Sequence, residues 1–223
     1  MLQEHLGHSI FKIVQEESFK LGYESYVVGG FVRDIFLKRD SKDVDFVTVG
    51  SGVQLAKAVA KRMNKVHLSV FKNFGTAQIK AEDWEFEFVG ARRESYDRNS
   101  RKPKVEDGTF LDDIKRRDFT INALAISLQE DAYGELVDVF GGMEDLENGI
   151  LKTPLDPRIT FSDDPLRMMR AIRFATQLGF KIDDTTYRAL CKEAKRIKII
   201  SQERITDELQ KIIATPKPSI GFK

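Results

Sequence analysis

At 223 residues and 41% hydrophobic content, the chain holds enough apolar material for a packed core, in one large domain or two small ones. Lysine plus arginine total 36 against 35 aspartate plus glutamate, so bulk charge does not advertise nucleic acid, and an RNA-binding surface would have to come from local clustering. A single cysteine, Cys191, excludes an intramolecular disulfide and fits a reducing compartment, and His5, His8 and His67 do not form a zinc-ligand spacing with it.

The N-terminus mixes Gln3, Glu4, His5 and His8 with apolar residues and carries no signal-peptide core. No apolar run approaches the roughly 20 residues needed to span a bilayer, so the expectation is a cytoplasmic protein without membrane contact. Hydrophobic period then predicts a helix near His8 to Leu21 and a strand near Ser25 to Val28. Gly29-Gly30 follows, and Phe31 to Leu37 can open a second helix. Further strands are expected at Val44 to Thr48, Thr76 to Lys80 and Trp84 to Val89, with a helix at Val53 to Met63 between the first two. In the last strand Trp84, Phe86 and Phe88 alternate with Glu85 and Glu87, giving one buried face and one acidic face. From Pro157 onward the β signal vanishes and helices are expected at Asp164 to Leu178, Thr185 to Ala194 and Glu203 to Ala214. The boundaries that follow are a head over 1–155, a helical unit over 156–215, and the start of a further helical region over 216–223. The ending Pro216-Lys217-Pro218-Ser219 through Lys223 reads as part of a longer chain.

Val27-Val28-Gly29-Gly30-Phe31-Val32-Arg33-Asp34, with Asp43-Val44-Asp45 nine residues on, is the most informative stretch. Two glycines let backbone amides approach an anion at the start of a helix, where the dipole favours phosphate. Asp43 and Asp45 leave one face of their strand while Val44 and Phe46 leave the other. Side-by-side carboxylates are hard oxygen ligands suited to Mg²⁺, and two such ions roughly 3.5–4 Å apart clamp an in-line phosphoryl displacement. Taken alone, Gly-Gly is a turn and Asp-x-Asp a polar edge strand; together, in this order, they point to phosphoryl or nucleotidyl transfer. Glu87 either adds a third carboxylate beside the pair or is a solvent-facing strand residue.

Arg116-Arg117-Asp118-Phe119-Thr120-Ile121-Asn122 supplies a second polar constellation. Its arginines can hold a triphosphate. Asp118 and Asn122, four apart and on one face if the segment is helical, can meet ribose or metal-bound phosphates; the alternative is a charged helix start with Asp118 as its cap. On the helix expected from Asp164, a rotation of about 100° per residue gathers Met168, Ala171, Ile172, Ala175 and Leu178 on one side. Arg170, Arg173 and Gln177 fall on the other. Asp164 and Arg167 land on the apolar side, where charge is costly unless the two pair with each other or with a ligand in a pocket. An aspartate accepts and an arginine donates, so together they match a base edge that presents an amine donor beside a ring-nitrogen acceptor. Cytosine and adenine have that edge; guanine and uracil present the reverse.

With these motifs in order, the chain resembles the class II tRNA nucleotidyltransferase and bacterial poly(A) polymerase family of the polymerase-β-like nucleotidyltransferase superfamily. Two further segments carry the resemblance: Asp138-Val139-Phe140-Gly141-Gly142-Met143-Glu144-Asp145-Leu146 and Ile200-Ser201-Gln202-Glu203-Arg204-Ile205. The nucleotide-templating motif, usually Glu-Asp-x-x-Arg, stands here as Asp163-Asp164-Pro165-Leu166-Arg167. The resemblance implies an α+β fold: a head with a mixed β-sheet and flanking helices, followed by an all-α neck. It implies two Mg²⁺ on Asp43 and Asp45, Asp164 and Arg167 reading the base of CTP or ATP, and a tRNA 3′ end as primer. The segment Ala91 to Gly108 resembles the family's flexible loop, which goes with A addition as well as C addition. Arg92 to Lys104 within it holds six basic residues against two acidic ones, either an RNA contact or a solvated loop. Gly29, Gly30, Arg33, Arg116 and Arg117 are the candidates to orient the triphosphate. The rival activities are a poly(A) polymerase, which shares these motifs, and a non-catalytic RNA- or nucleotide-binding module.

Overall fold

A computed structural model describes residues 2–95 and 104–222; the middle of the expected flexible loop and of its basic cluster lies outside the described residues. The chain divides into two compact units. One comprises Met1–Arg93, Glu106–Ile114 and Asn122–Val139, the other Glu94–Val105, Lys115–Ile121 and Phe140–Lys223.

The first unit opens with α1 (Ser9–Leu21). His8 caps it, its Nδ1 accepting the Ile10 N–H at 3.2 Å. Gly22, at φ 70°, ends it in the left-handed region. Ile10, Phe11 and Val14 are fully buried, which fixes the inward face of the helix. There follow β1 (Glu24–Val28), α2 (Gly30–Phe36), β2 (Asp43–Val49), α3 (Gly52–Arg62), β3 (His67–Phe71), β4 (Thr76–Ala81) and β5 (Trp84–Gly90). β6 (Arg92–Ser95) and β7 (Lys104–Asp107) pair as a two-stranded ribbon. After α4 (Phe110–Lys115) come β8 (Ala125–Ser127) and β9 (Leu136–Val137).

Seven strands form one mixed sheet in the order β3-β4-β5-β2-β1-β8-β9. β2 and β5 run parallel, whereas β1 is antiparallel to both β2 and β8. Val44, Phe46, Phe86 and Phe88 leave one face of β2 and β5 and are buried. Phe11 of α1 meets Phe46 and Phe86 there, with ring centroids 5.8 and 6.5 Å away. That face is the core, and burying its aromatic side chains is the main stabilising contribution the sheet makes. Close approach also shapes it: a Cβ on Gly52 would lie 2.7 Å from the Val89 carbonyl carbon, so α3 can start only on a glycine. β3 departs from expectation. It is an edge strand with no buried residue, so it lacks the alternation by which the other strands are recognised.

The second unit carries α5 (Gly142–Glu147), β10 (Ile150–Leu151), α6 (Pro157–Asp163), α7 (Leu166–Leu178), β11 (Lys181–Ile182), α8 (Asp184–Glu193) and α9 (Gln202–Ile213). It is helical except that β11 pairs in parallel with β10, a two-residue strand too short to leave a period in the sequence. Glu203 lies in the first turn of α9 and Lys211 in its last, each complementing the helix dipole. The helix expected from Asp164 begins at Leu166 instead, and a separate helix, α6, precedes it. Pro165 disfavours α conformation at the residue before it, so Asp164 sits extended at φ −133°, ψ 99°, between α6 and α7. Among the described residues no helix is long and apolar enough to cross a membrane.

Candidate active site

In the first unit, Gly29 joins β1 to α2 at φ 79°, ψ −133°, a conformation open to glycine and strained for any side chain. Gly30 is different: a Cβ there would meet only the Arg33 Nη2, at 3.7 Å, so its backbone has room. The Gly29 N–H donates to the Leu124 carbonyl at 3.1 Å, tying the turn to the segment that leads into β8. Arg33 strengthens the same tie. Its Nη1 donates to Asn122 Oδ1 at 2.7 Å, and Nε and Nη2 donate to the Asp34 carboxylate at 2.9 and 3.0 Å. Arg33 is 5% exposed and Asn122 6%. The two side chains that the sequence offers as nucleotide contacts thus bond to each other.

Asp43 and Asp45 leave the face of β2 opposite the aromatic core, Asp43 exposed and Asp45 partly so. The parallel register sets Asp45 against Glu87 and Asp43 against Glu85 on β5. Crowding by protein, and then the charge of Asp45, push the Glu87 carboxyl above its ordinary range, with Arg92 opposing. Repulsion between Asp45 and Glu87 is what a divalent cation would relieve, and carboxylate oxygens are the donors Mg²⁺ prefers. The residues fit a metal pair, although among the described residues no group of three or more His, Cys, Asp or Glu is gathered as a ready cluster.

The second unit holds a polar cavity of about 430 Å³ whose wall includes Arg116, Arg117, Asp118, Asp164 and Arg167. Five residues picked from sequence thus meet at one place. The Arg167 N–H donates to the Asp164 carbonyl at 3.0 Å, but the two side chains bond elsewhere. Asp164 Oδ1 accepts the Leu166 N–H at 3.1 Å, and Oδ2 lies 3.5 Å from Arg204 Nη2. Arg167 donates from Nη2 to the Arg116 carbonyl at 2.6 Å and from Nη1 to the Thr160 carbonyl at 3.4 Å. Neutral carbonyls position the guanidinium without cancelling its charge. Arg116 also meets Glu94 at 3.2 Å. The neighbouring Asp163 carboxyl is pushed up by burial, against the pull of Arg167.

Asp118 is 7% exposed. Its Oδ2 takes Arg170 Nε and Nη2 at 2.7 and 2.6 Å, and its Oδ1 accepts the Phe119 N–H at 2.9 Å. The helical face expected to align Asp118 with Asn122 does not form. α4 stops at Lys115 and a short 3₁₀ turn covers only Thr120–Asn122, because Phe119, Thr120 and Ile121 are all drawn into the interior. Asp118 belongs to the second unit and Asn122 to the first. Five polar cavity residues were not picked from the sequence as site residues: Arg170, Arg204, Asp207, Glu208 and Lys211. Arg170 follows Arg167 by three and is its neighbour on α7, although the helical period assigns the two to different sides.

A glycine turn that starts a helix, followed by aspartates on the open face of a mixed sheet, is the head architecture of polymerase-β-like nucleotidyltransferases. Residues 25–152 match the family described as Poly A polymerase head domain, and residues 179–223 match the one described as a probable RNA and SrmB-binding site of polymerase A. The A-adding tRNA nucleotidyltransferase of Aquifex aeolicus is 43% identical over 189 residues, covering 81% of this chain and 23% of that protein. The CCA-adding enzyme of a Geobacillus species is 39% identical over 199 residues, covering 87% and 46%. The crystal structure of a tRNA nucleotidyltransferase complexed with a primer tRNA and an incoming ATP analog superposes with a TM-score of 0.82 at 35% identity, covering 94% of this chain and 58% of that one. The chain belongs to the class II CCA-adding enzyme and poly(A) polymerase family. It spans less than half the length of these curated relatives.

Proposed function

We propose that the chain carries the catalytic and nucleotide-selecting parts of a template-independent nucleotidyltransferase that adds C and A, from CTP and ATP, to the 3′ end of tRNA. The observation that carries this reading is the pair Asp164 and Arg167 on one cavity wall, their side chains not bonded to each other and set beside Arg116 and Arg117. An acceptor and a donor so placed match the Watson–Crick edge of cytosine or adenine, and the arginines suit a triphosphate.

Chemically, the primer 3′-oxygen attacks the α-phosphate, the bond from that phosphorus to the bridging oxygen breaks, pyrophosphate leaves and the hydroxyl proton is released. Asp43 and Asp45 would hold two Mg²⁺, which when bound supply charge stabilisation on the phosphates and lower the cost of that deprotonation. Glu87, opposite Asp45 in the strand register, would polarise the attacking hydroxyl. Gly29 and Gly30 shape the turn beside the aspartates, and the Arg33–Asn122 bond holds that turn in place. Asp118, held by Arg170 on the cavity wall, would meet the sugar.

A second reading, addition of A alone, is favoured by the name of the Aquifex relative, an A-adding tRNA nucleotidyltransferase. Poly(A) addition shares every motif. One assay separates all three: the chain with Mg²⁺, each labelled nucleotide, and tRNAs ending before the first C, before the second C and before A. CCA addition extends all three primers and stops, A addition extends only the third, and poly(A) addition does not stop at one A. No incorporation into any primer, by protein that binds CTP or ATP, defeats the enzyme reading and leaves a binding module.

A further inference from the structure

We propose that Arg204 is a stand-in for the base: its guanidinium occupies the acceptor on Asp164 that the amino group of an incoming cytosine or adenine takes, so nucleotide entry is an exchange of donors on one oxygen. This rests on the reading of Asp164 as the base acceptor.

Asp164 has two carboxylate oxygens, and they are not equivalent. Oδ1 is taken by the Leu166 N–H at 3.1 Å, the bond that stands in for a cap at the start of α7. Breaking it would expose the first turn of that helix, so it is not available to a ligand. Only Oδ2 can meet a base, and the group beside it is Arg204 Nη2. At 3.5 Å this contact is at the long limit of a hydrogen bond, where the attraction is weak. Both groups line the same cavity, and the Arg204 side chain is 41% exposed, so it can leave Oδ2 for water.

The helix bearing Arg204 is fixed independently. One turn on, Glu208 is 4% exposed and receives Arg173 Nε at 2.6 Å, which ties α9 to α7. Arg204 and Glu208 are four apart and share a helix face, so α9 stays docked while the guanidinium swings. A donor that is loosely held, water-accessible and mounted on a rigid helix is suited to displacement. In the free protein it also keeps Asp164 from meeting the cavity as a bare negative charge.

The consequence is selective. A base with an amine at this position repays the loss of Arg204 with a new donor. A base with a keto oxygen there brings a second acceptor against Asp164, so for uracil and guanine the arginine has to remain between them. Arg204 is thus a positioning residue acting through Asp164. Removing it tightens cytosine and adenine and gives uracil and guanine nothing.

Equilibrium binding of CTP, ATP, UTP and GTP to the chain and to Arg204→Met, Arg204→Gln and Arg204→Lys tests this. The expected result is about two- to fivefold tighter binding of CTP and ATP to the methionine and glutamine variants, the range that losing one exposed ion-pair competitor yields. UTP and GTP binding stays level or weakens, and the lysine variant remains near the parent. Equal weakening for all four nucleotides would show Arg204 to be a direct ligand contact, and no change would show it to be a surface ion pair; either overturns the inference. Glutamine removes the charge while keeping a polar side chain, so it decides the matter if methionine perturbs folding by circular dichroism. Asp164→Asn separates the two levels. If that variant keeps its preference for CTP and ATP, the base-reading assignment itself fails; if it loses the preference while Arg204→Met tightens nothing, the exchange alone fails.

Discussion

Arg33 Nη1 donates to Asn122 Oδ1 at 2.7 Å, joining two side chains 89 residues apart at the foot of the glycine turn. Both are buried, so the bond is a clamp between the start of α2 and the segment entering β8. Asn122→Ala removes one acceptor from a buried guanidinium and should cost roughly 1.5–3 kcal/mol of stability, the range for hydrogen bonds to charged groups. Urea denaturation followed by circular dichroism checks it. A midpoint shift with unchanged slope is expected, and a loss below about 0.5 kcal/mol, the scale of ordinary surface changes, would mean that the bond is not a clamp.

Asp45→Ala should abolish nucleotide incorporation while thermal unfolding stays cooperative, since Asp45 is only partly buried and leaves the non-core face of β2. Glu87→Gln separates two roles. If Glu87 moves the hydroxyl proton, kcat falls by about a hundredfold or more with little change in KM. A loss under about threefold assigns Glu87 to the strand and leaves the metal pair to the two aspartates.

The alternation of Val44 and Phe46 with Asp43 and Asp45, and of Phe86 and Phe88 with Glu85 and Glu87, made the first halves of β2 and β5 legible. The same pattern placed Asp43, Asp45 and Glu87 on the open face. What pattern could not show was partnership across the chain: nothing near Arg33 points to Asn122, and nothing near Asp118 points to Arg170 on α7. The start of α7 beyond Asp164 was readable in Pro165, which disfavours α conformation at the residue before it. β3 left no trace because an edge strand with two wet faces needs no alternation.

His8 gives a pH prediction. Its imidazole caps α1 and packs against Trp84 and Phe86, with ring centroids 5.3 and 5.1 Å away. Burial lowers its pKa from the ordinary 6.5, with Glu82 opposing. The folded state therefore binds this proton less readily than the unfolded chain. The stability it preserves is fully present above pH 6.5 and is lost as pH falls from there through the folded pKa. His8→Asn keeps a capping acceptor and does not titrate, so its stability should fall less between pH 7.5 and pH 5.5 than that of the parent, values chosen about one unit to each side of the ordinary pKa. Parallel slopes for the two proteins would mean that His8 is not the titrating group.

Asp118 and Arg170 form a close ion pair on the cavity wall, with both Nε and Nη2 of the arginine directed at one carboxylate oxygen. The charge of Asp118 raises the proton affinity of Arg170 despite its burial. Arg170 also lies 5.2 Å from the Phe174 ring, so methionine in its place keeps the packing and deletes the charge. Arg170→Met should cost roughly 2–4 kcal/mol, somewhat less than for a fully buried pair because Arg170 retains some contact with water. Asp118→Asn alone should cost less, and the double variant less than the sum, with a coupling of about 1–3 kcal/mol. If the pair also orients Asp118 toward the sugar, both single variants lose discrimination between CTP and dCTP while a destabilising core change such as Val59→Ala does not. Additive stabilities with unchanged ribose selectivity would mean that the two residues neither support each other nor act on the nucleotide together.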